Sequence, residues 1–271
     1  MNTESTKYVH GYSDREALRL NHQADTLDNI IHSDTIFSND SIVLEAGCGV
    51  GAQTKIIATK NPDSNFISVD ISEETISEAR EMIKSFGINN VELQQADIYN
   101  LPFKDETFDS AIICFVLEHL HNPIQALNEL KRVLKQGGVM IAIEGDHGST
   151  FFYPDSKYAH SAIDCQIQLQ KQSGGNSNIG RELYPLLKSI GLSDISVSPR
   201  MVYVDASKPR LVEGFIKNTF TAMIKGVGEK AIQEGLIDRV TFEKGINDLY
   251  RTTEPDGVFN YTFFKGFGTK K

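Results

Sequence analysis

Three glycines at alternate positions, Gly47, Gly49 and Gly51, follow the apolar run Ile42-Val43-Leu44 and an acid, Glu45. Glycine at such a turn lets the backbone take positive φ and lets a ligand lie against the main chain without a Cβ in the way. A helix starting there points its free N–H groups at the same spot. A second acid, Asp70, closes the run Asn65-Phe66-Ile67-Ser68-Val69, 19 residues beyond Gly51, and a third, Asp97, follows Val91 to Ala96. One bidentate carboxylate matches the two vicinal hydroxyls of a ribose, and an acid at the next strand end suits an adenine amino group. These residues predict a nucleoside-type pocket at the carboxyl edge of a parallel sheet. The spacing Gly-x-Gly-x-Gly departs from the Gly-x-Gly-x-x-Gly pyrophosphate turn, which argues against a dinucleotide.

The elements that must position these groups can be read from the pattern. Ala17, Leu20, Ala24, Leu27 and Ile31 recur at helical spacing behind Ser13-Asp14-Arg15-Glu16, which reads as a capping box. Strands are expected at 42–46, 65–70, 91–95, 108–115 and 139–143. The fourth contains Ala111-Ile112-Ile113-Cys114-Phe115, apolar without alternation, as a central strand covered on both faces should be. Ser72 caps one intervening helix, and Asn122-Pro123 opens another. Alternating strands and helices through about residue 145 mean a doubly wound parallel sheet. Beyond that, helices are expected at 156–172 and 180–190. A strand follows at 195–204, interrupted at Pro199, then a long helical stretch at 208–250 and an aromatic-rich strand at 258–267.

Bulk properties narrow the function. The 271 residues are 40% hydrophobic and 23% charged, an ordinary globular balance. A net charge of −9 argues against a general nucleic-acid binder. Cys48, Cys114 and Cys165 are odd in number and lack metal-ligand spacing, so neither a disulfide framework nor a metal site is expected. The first ten residues lack a signal-peptide core, and no apolar run reaches membrane-spanning length, so a cytoplasmic protein is expected.

Taken in order, the motifs resemble those of class I S-adenosylmethionine-dependent methyltransferases. They are Val43-Leu44-Glu45-Ala46-Gly47-Cys48-Gly49-Val50-Gly51, Val69-Asp70-Ile71-Ser72, Gln95-Ala96-Asp97-Ile98, Leu101-Pro102-Phe103 through Phe108-Asp109, Leu117-Glu118-His119-Leu120, and Leu130 through Gly137-Gly138. The set covers about residues 10 to 145. It is most similar to the small-molecule branch that includes the ubiquinone and menaquinone biosynthesis methyltransferases. It also resembles natural-product methyltransferases with a helical pattern matching Tyr12, Glu16, Arg19, Leu20 and Gln23. The resemblance implies an α/β, Rossmann-like, doubly wound seven-stranded sheet with the last strand antiparallel. It divides the single domain into an N-terminal cofactor-capping helix (1–35), a cofactor-binding core (36–146) and helical lid insertions (147–180 and 206–255).

The resemblance also implies roles. Gly47, Gly49 and Gly51 let S-adenosyl-L-methionine lie on the backbone, and Glu45 holds the loop or faces the ammonium end. Asp70 takes the ribose. Asp97 takes the adenine, with Ile98 and Ile71 packing on the ring faces. Phe115 lines the methionine part, while Tyr12, Arg19 and Gln23 reach toward the cofactor carboxylate. His119 is a candidate base at the mouth of the site, although this position often orders the loop. His147, Tyr153, His160 and Tyr203 are candidates for the acceptor side. The Asn/Asp-Pro-Pro-Tyr signature of amino-directed nucleic-acid methyltransferases is absent after strand four, where Phe115-Val116-Leu117-Glu118 stands. A small organic acceptor is therefore expected, in a monomer or homodimer. The competing readings are a nicotinamide-dependent oxidoreductase, a non-catalytic cofactor-binding module, and a methyltransferase acting on RNA or protein.

Overall fold

The apolar stripe of the first helix is buried as its spacing demands: Ala24, Leu27 and Ile31 of α1 (Asp14–Ile31) are all shielded from solvent. The structure, a computed structural model, describes residues 14–271. Tyr12 and the Ser13 half of the expected capping box lie outside the described residues.

Five parallel strands follow as the pattern requires: β1 (Ile42–Ala46), β2 (Asn65–Asp70), β3 (Val91–Gln95), β4 (Phe108–Cys114) and β5 (Leu134–Tyr153). Between them run α2 (Ala52–Lys60), α3 (Glu73–Ser85) and α4 (Pro123–Val133). Their caps are those read from the sequence. Ser72 Oγ accepts from Thr75 N at 3.3 Å, and Asn122 Oδ1 accepts from Gln125 N at 3.2 Å with Pro123 in the first turn. After β5 come α5 (Lys157–Gln172), a 3₁₀ turn (Ile179–Glu182), α6 (Leu183–Ser189) and β6 (Ser193–Asp205). A helical run follows: α7 (Pro209–Leu211), a π-helical segment (Val212–Thr221), α8 (Ala222–Gly226), α9 (Gly228–Gln233) and α10 (Arg239–Arg251). Strand β7 (Val258–Thr269) closes the chain's secondary structure.

The sheet order is β3-β2-β1-β4-β5-β7-β6, with β7 antiparallel to both of its neighbours. This is the expected seven-stranded, doubly wound sheet. β4 is central, and its continuous apolar run serves both faces. Ile112 packs with Val43, Phe66 and Ile143 in the layer shared with α1, α5 and α10. Ala111 and Ile113 pack with Leu44, Met140 and Ala142 in the layer shared with α4 and α6.

Two expectations are corrected. Pro199 does not interrupt β6, because β6 is an edge strand bonded only to β7 and the missing N–H costs no ladder bond on its open side. The lid boundary at residue 147 is misplaced, since β5 continues to Tyr153 through a register shift between Asp146 and Phe151. Residues 147–153 are therefore strand and bulge, and only α5 onward is helical.

One buried cation fixes α1 to the sheet. Lys265 of β7 is fully buried, and its Nζ donates to Asp34 Oδ1 (2.7 Å), Thr35 Oγ1 (2.6 Å) and the Ile31 carbonyl (3.2 Å). The last contact places positive charge at the C-terminal end of α1, where the helix dipole favours it.

Candidate functional site

The glycine loop joins β1 to α2, at the carboxyl edge of the sheet. Each glycine has its own reason. A Cβ on Gly47 (φ +77°) would lie 2.4 Å from Val116 Cγ2, so this position is closed by the loop after β4. A Cβ on Gly49 (φ +52°) would meet nothing within 4 Å. Its absent side chain leaves open space over the backbone, the cradle expected for a ligand. Gly51 instead allows α2 to start close to Ala79 of α3.

Asp70, at the end of β2, ties this loop to the next one. Its Oδ2 accepts from Gly49 N at 2.9 Å, and its Oδ1 accepts from Ser72 N at 3.0 Å and Thr75 Oγ1 at 3.3 Å. The carboxylate is half-buried and borders the cleft above Gly49. That cleft has a volume of ≈ 220 Å³ and is lined by Gly47, Gly49, Asp70, Ile71, Phe115 and His119, among others. Ile71, exposed on one side, and Leu120 supply flat apolar wall.

A second, smaller cavity of ≈ 60 Å³ adjoins the first and shares Leu20, Phe115 and His119 with it. Its other walls come from distant segments: Arg19 and Gln23 of α1, His147 of β5, Phe215 and Phe220 of the π-helical segment, and Tyr261 and Phe263 of β7. Phe115 stands between the two with φ +59°, a left-handed conformation unusual for a bulky side chain. Glu144 of β5 secures the segment that follows it. Glu144 Oε1 accepts from Val116 N (3.0 Å) and Leu117 N (2.7 Å). Burial, and then the neighbouring Glu118 carboxylate, push the Glu144 carboxyl well above the usual range.

The structure brings Gly47, Gly49, Asp70, Ile71, Phe115 and His119 into one cleft, and Arg19 and Gln23 into the adjoining cavity. Arg19 does not lie on a solvated helix face. It is buried, donates from Nη2 to Glu16 Oε1 at 2.6 Å and from Nε to Glu16 Oε2 at 2.8 Å, and donates from Nη1 to Gln23 Oε1 at 2.9 Å. Glu45 lies outside the lining. It is buried in the sheet, accepts from Ser68 Oγ at 2.6 Å, and has its carboxyl pushed up to about 7 by burial. Asp97 and Ile98 stand past β3, outside the lining of both cavities, and Asp97 Oδ1 accepts from Tyr99 N at 2.9 Å. Of the acceptor-side candidates only His147 lines a cavity. Tyr153 and Tyr203 are exposed, and His160 stacks on Phe152 and pairs with Asp155.

Sequence reasoning missed Glu144 and Gln170. Gln170 of α5 donates from Nε2 to the Glu118 carbonyl (3.0 Å) and to His119 Nδ1 (3.2 Å), while its Oε1 accepts from Ser177 Oγ (2.9 Å). A signal for Glu144 was present: it follows the apolar run Ile141-Ala142-Ile143, and an acid in a buried strand needs partners. Gln170 carried none, because a glutamine on an amphipathic helix looks like any surface residue.

Comparison with known proteins agrees with this geometry. The model of a family described as a methyltransferase domain matches residues 37–189. An uncharacterized methyltransferase of Schizosaccharomyces pombe is 37% identical over 150 residues, covering 52% of this chain and 52% of the relative. The chain thus matches about half the length of that curated relative. A demethylmenaquinone methyltransferase of Bacillus pumilus is 28% identical over 169 residues, covering 58% of this chain and 72% of the relative. Among solved structures, phosphoethanolamine N-methyltransferase 2 of Haemonchus contortus in complex with S-adenosyl-L-methionine superposes with a TM-score of 0.54 at 15% identity. That match covers 86% of this chain and 49% of the other. The chain belongs to the methyltransferase domain family, and it shares the fold of a methyltransferase that binds S-adenosyl-L-methionine.

Proposed function

We propose that this chain transfers the methyl group of S-adenosyl-L-methionine to a small organic acceptor held in the second cavity. One observation carries the reading. A cleft bordered by side-chain-free Gly49 and the Asp70 carboxylate adjoins, across Leu20, Phe115 and His119, a separate aromatic-walled cavity. One site suits a nucleoside-bearing cofactor, and the other suits what that cofactor reacts with.

The residues present fit that cofactor. Asp70 spends one oxygen on Gly49 N and the other on Ser72 and Thr75, which leaves lone pairs for a ribose diol. Gly47 and Gly49 bring main chain to the ligand, Ile71 gives an apolar face for a flat base, and Asp97 and Ile98 extend that edge past β3. Arg19 and Gln23 flank Leu20, which lines both cavities, and so stand on α1 beside the boundary that a cofactor carboxylate would reach. When bound, the cofactor supplies a methyl group on a sulfonium, already a good leaving group. The chain's task is then chiefly alignment of acceptor with methyl, which can contribute ~7–11 kcal/mol of the barrier. Phe115, Phe215 and Phe220 also keep water from the meeting point of the two cavities.

A small acceptor is supported by the small, largely aromatic second cavity, and a nucleic acid is disfavoured by the net charge of −9. Among the described residues no helix is long and apolar enough to cross a membrane. Calorimetric titration with S-adenosylhomocysteine tests the cofactor assignment. The wild-type chain is expected to bind it and Asp70→Ala to bind at least tenfold more weakly. Wild-type protein that fails to bind would sink the proposal.

A further inference from the structure

The two cavities hold two histidines, and their partners assign them opposite tautomers. His119 Nδ1 faces the amide Nε2 of Gln170 at 3.2 Å, and that end of the amide is a donor because its Nε2 also faces the Glu118 carbonyl and carboxylate. The other end, Oε1, accepts from Ser177 Oγ and Gln166 Nε2, and turning the amide round would set its oxygen against the Glu118 carbonyl and carboxylate. His119 Nδ1 is therefore a capped lone pair, and its proton sits on Nε2, 3.6 Å from Glu118 Oε1.

His147 is the reverse. A ring proton on Nδ1 lets it donate to the Ser177 carbonyl oxygen 3.1 Å away, which can only accept, while the Tyr261 hydroxyl, able to donate or accept, takes the accepting role. The backbone N of His147 donates to the same carbonyl at 3.0 Å, and Tyr261 Oη lies 3.0 Å from Nδ1 on the other side. Space for that hydroxyl is made by Gly145, where a Cβ would lie 2.3 Å from it. The ring is thus held at one nitrogen. The other, Nε2, is buried, has no hydrogen-bond partner, and belongs to a side chain lining the second cavity; the residue is 4% exposed. An unpaired acceptor buried on a cavity wall calls for a donor from what fills the cavity.

We propose that Nε2 of His147, and not His119, receives the hydrogen bond and then the proton of an uncharged methyl acceptor that carries an O–H. This rests on the methyl-transfer reading above. The acceptor's nucleophilic atom gains a bond to the methyl carbon, and the electron pair of the old carbon–sulfur bond stays on sulfur. The acceptor's proton passes to Nε2, leaving an imidazolium that releases it to solvent when product leaves. Burial pushes the His147 pKa down to about 4, which keeps Nε2 unprotonated at neutral pH. So weak a base suffices, because the acceptor's proton becomes strongly acidic as the new bond places positive charge on the atom that bears it. An uncharged acceptor fits the walls: Arg19 is paired with Glu16 and Gln23, Glu118 is bonded by Gln170, and the remaining lining is chiefly aromatic.

The test uses the full chain saturated with S-adenosylhomocysteine, with phenol as the protic probe and anisole as its aprotic twin. Long-range proton–nitrogen NMR on histidine-labelled protein should show His147 neutral with the proton on Nδ1, and His119 with the proton on Nε2. Phenol, but not anisole, should then shift the His147 Nε2 resonance. His147→Leu should weaken phenol about tenfold and leave anisole unchanged, and His147→Gln, which restores an acceptor near the Nε2 position, should recover phenol binding. A His147 protonated on Nε2, phenol that fails to bind, or equal phenol affinity in wild type and His147→Leu would each overturn the assignment. Failure to bind S-adenosylhomocysteine would instead overturn the functional reading on which it rests.

Discussion

The cleft above Gly49 and the cavity beside His147 share a wall but are made of different material. The cleft is built largely from backbone and from residues close to strand ends: Gly47 and Gly49 after β1, Asp70 and Ile71 after β2, Phe115 after β4. The cavity is built from side chains on α1, β5, β7 and a π-helical segment, brought together only by the completed fold. A pocket formed by main chain must use glycine and a few fixed acids, so it constrains residue type locally. A pocket formed by side chains from far-apart segments constrains only size and polarity, and many sequences satisfy that. The same sheet can thus keep one ligand and change the other.

Glu144 belongs to neither cavity yet holds the wall between them, and removing it is the strongest way to break the comparison. Glu144→Ala would leave the Val116 and Leu117 N–H groups without their acceptor. Buried unsatisfied donors cost ~1–3 kcal/mol each. Stability measured by urea unfolding should fall by about 2–4 kcal/mol, and affinity for S-adenosylhomocysteine should fall with it as Phe115 loses its support. A loss of less than about 1 kcal/mol would mean that the β4 loop is held by other contacts.

Asp70→Ala separates the two regions. Its carboxylate holds Gly49 N and borders the cleft, while the cavity receives nothing from it. Hydrogen bonds to a charged group contribute ~1.5–3 kcal/mol. Cofactor affinity should therefore drop by roughly tenfold to 150-fold, while the unfolding midpoint should fall less than in Glu144→Ala because the half-buried Gly49 and Ser72 donors can turn to water. Phenol binding to the second cavity, measured at saturating S-adenosylhomocysteine, should be retained.

Lys265→Met tests whether α1 reaches both regions only because it is clasped to β7. The substitution keeps the chain's bulk and removes the Nζ contacts to Asp34, Thr35 and the Ile31 carbonyl. Asp34 retains its pairing with Arg200 and is partly exposed, so the loss should be about 1–2 kcal/mol rather than the ~3–5 of a fully buried broken pair. Hydrogen exchange should speed up along α1 before it does in β1 or β4.

These regions also differ in what the sequence discloses. The succession of β1 to β5 and the caps at Ser72 and Asn122 are legible because apolar period and cap chemistry are local, whereas the antiparallel direction of the last strand came only from the family resemblance. Asp70 was legible as the acid that closes an apolar strand, where it now bridges two loops. The Arg19–Glu16–Gln23 chain was half-legible: the spacing put the residues one turn apart, but their burial depends on the helical insertion covering α1. The extension of β5 to Tyr153 was hidden, because Gly145 and Gly148 look like strand breakers until Tyr261 and Arg181 are seen against them. The register of His147 with Ser177 joins a strand bulge to a loop 30 residues away, a contact no local pattern encodes.

Glu45 sharpens the comparison from the cofactor side, with an effect confined to one pH window. It is an acid of the glycine motif that nonetheless lies inside the sheet, with burial pushing its carboxyl up to about 7. A group whose folded pKa is raised contributes stability that is fully present below its unfolded pKa and is lost as pH rises through the folded one. The window here runs from about 4.5 to about 7. Glu45→Gln keeps the shape and stays neutral throughout, so it should unfold like the wild type near pH 4 and become relatively more stable toward pH 8, by roughly 3 kcal/mol. Glu118 and Glu144 titrate in the same direction in both proteins, so the difference between the two melting curves isolates Glu45. A difference that stays flat from pH 4 to pH 8 would mean that Glu45 is ionised in the fold and accepts from Ser68 as a carboxylate rather than as a neutral carboxyl.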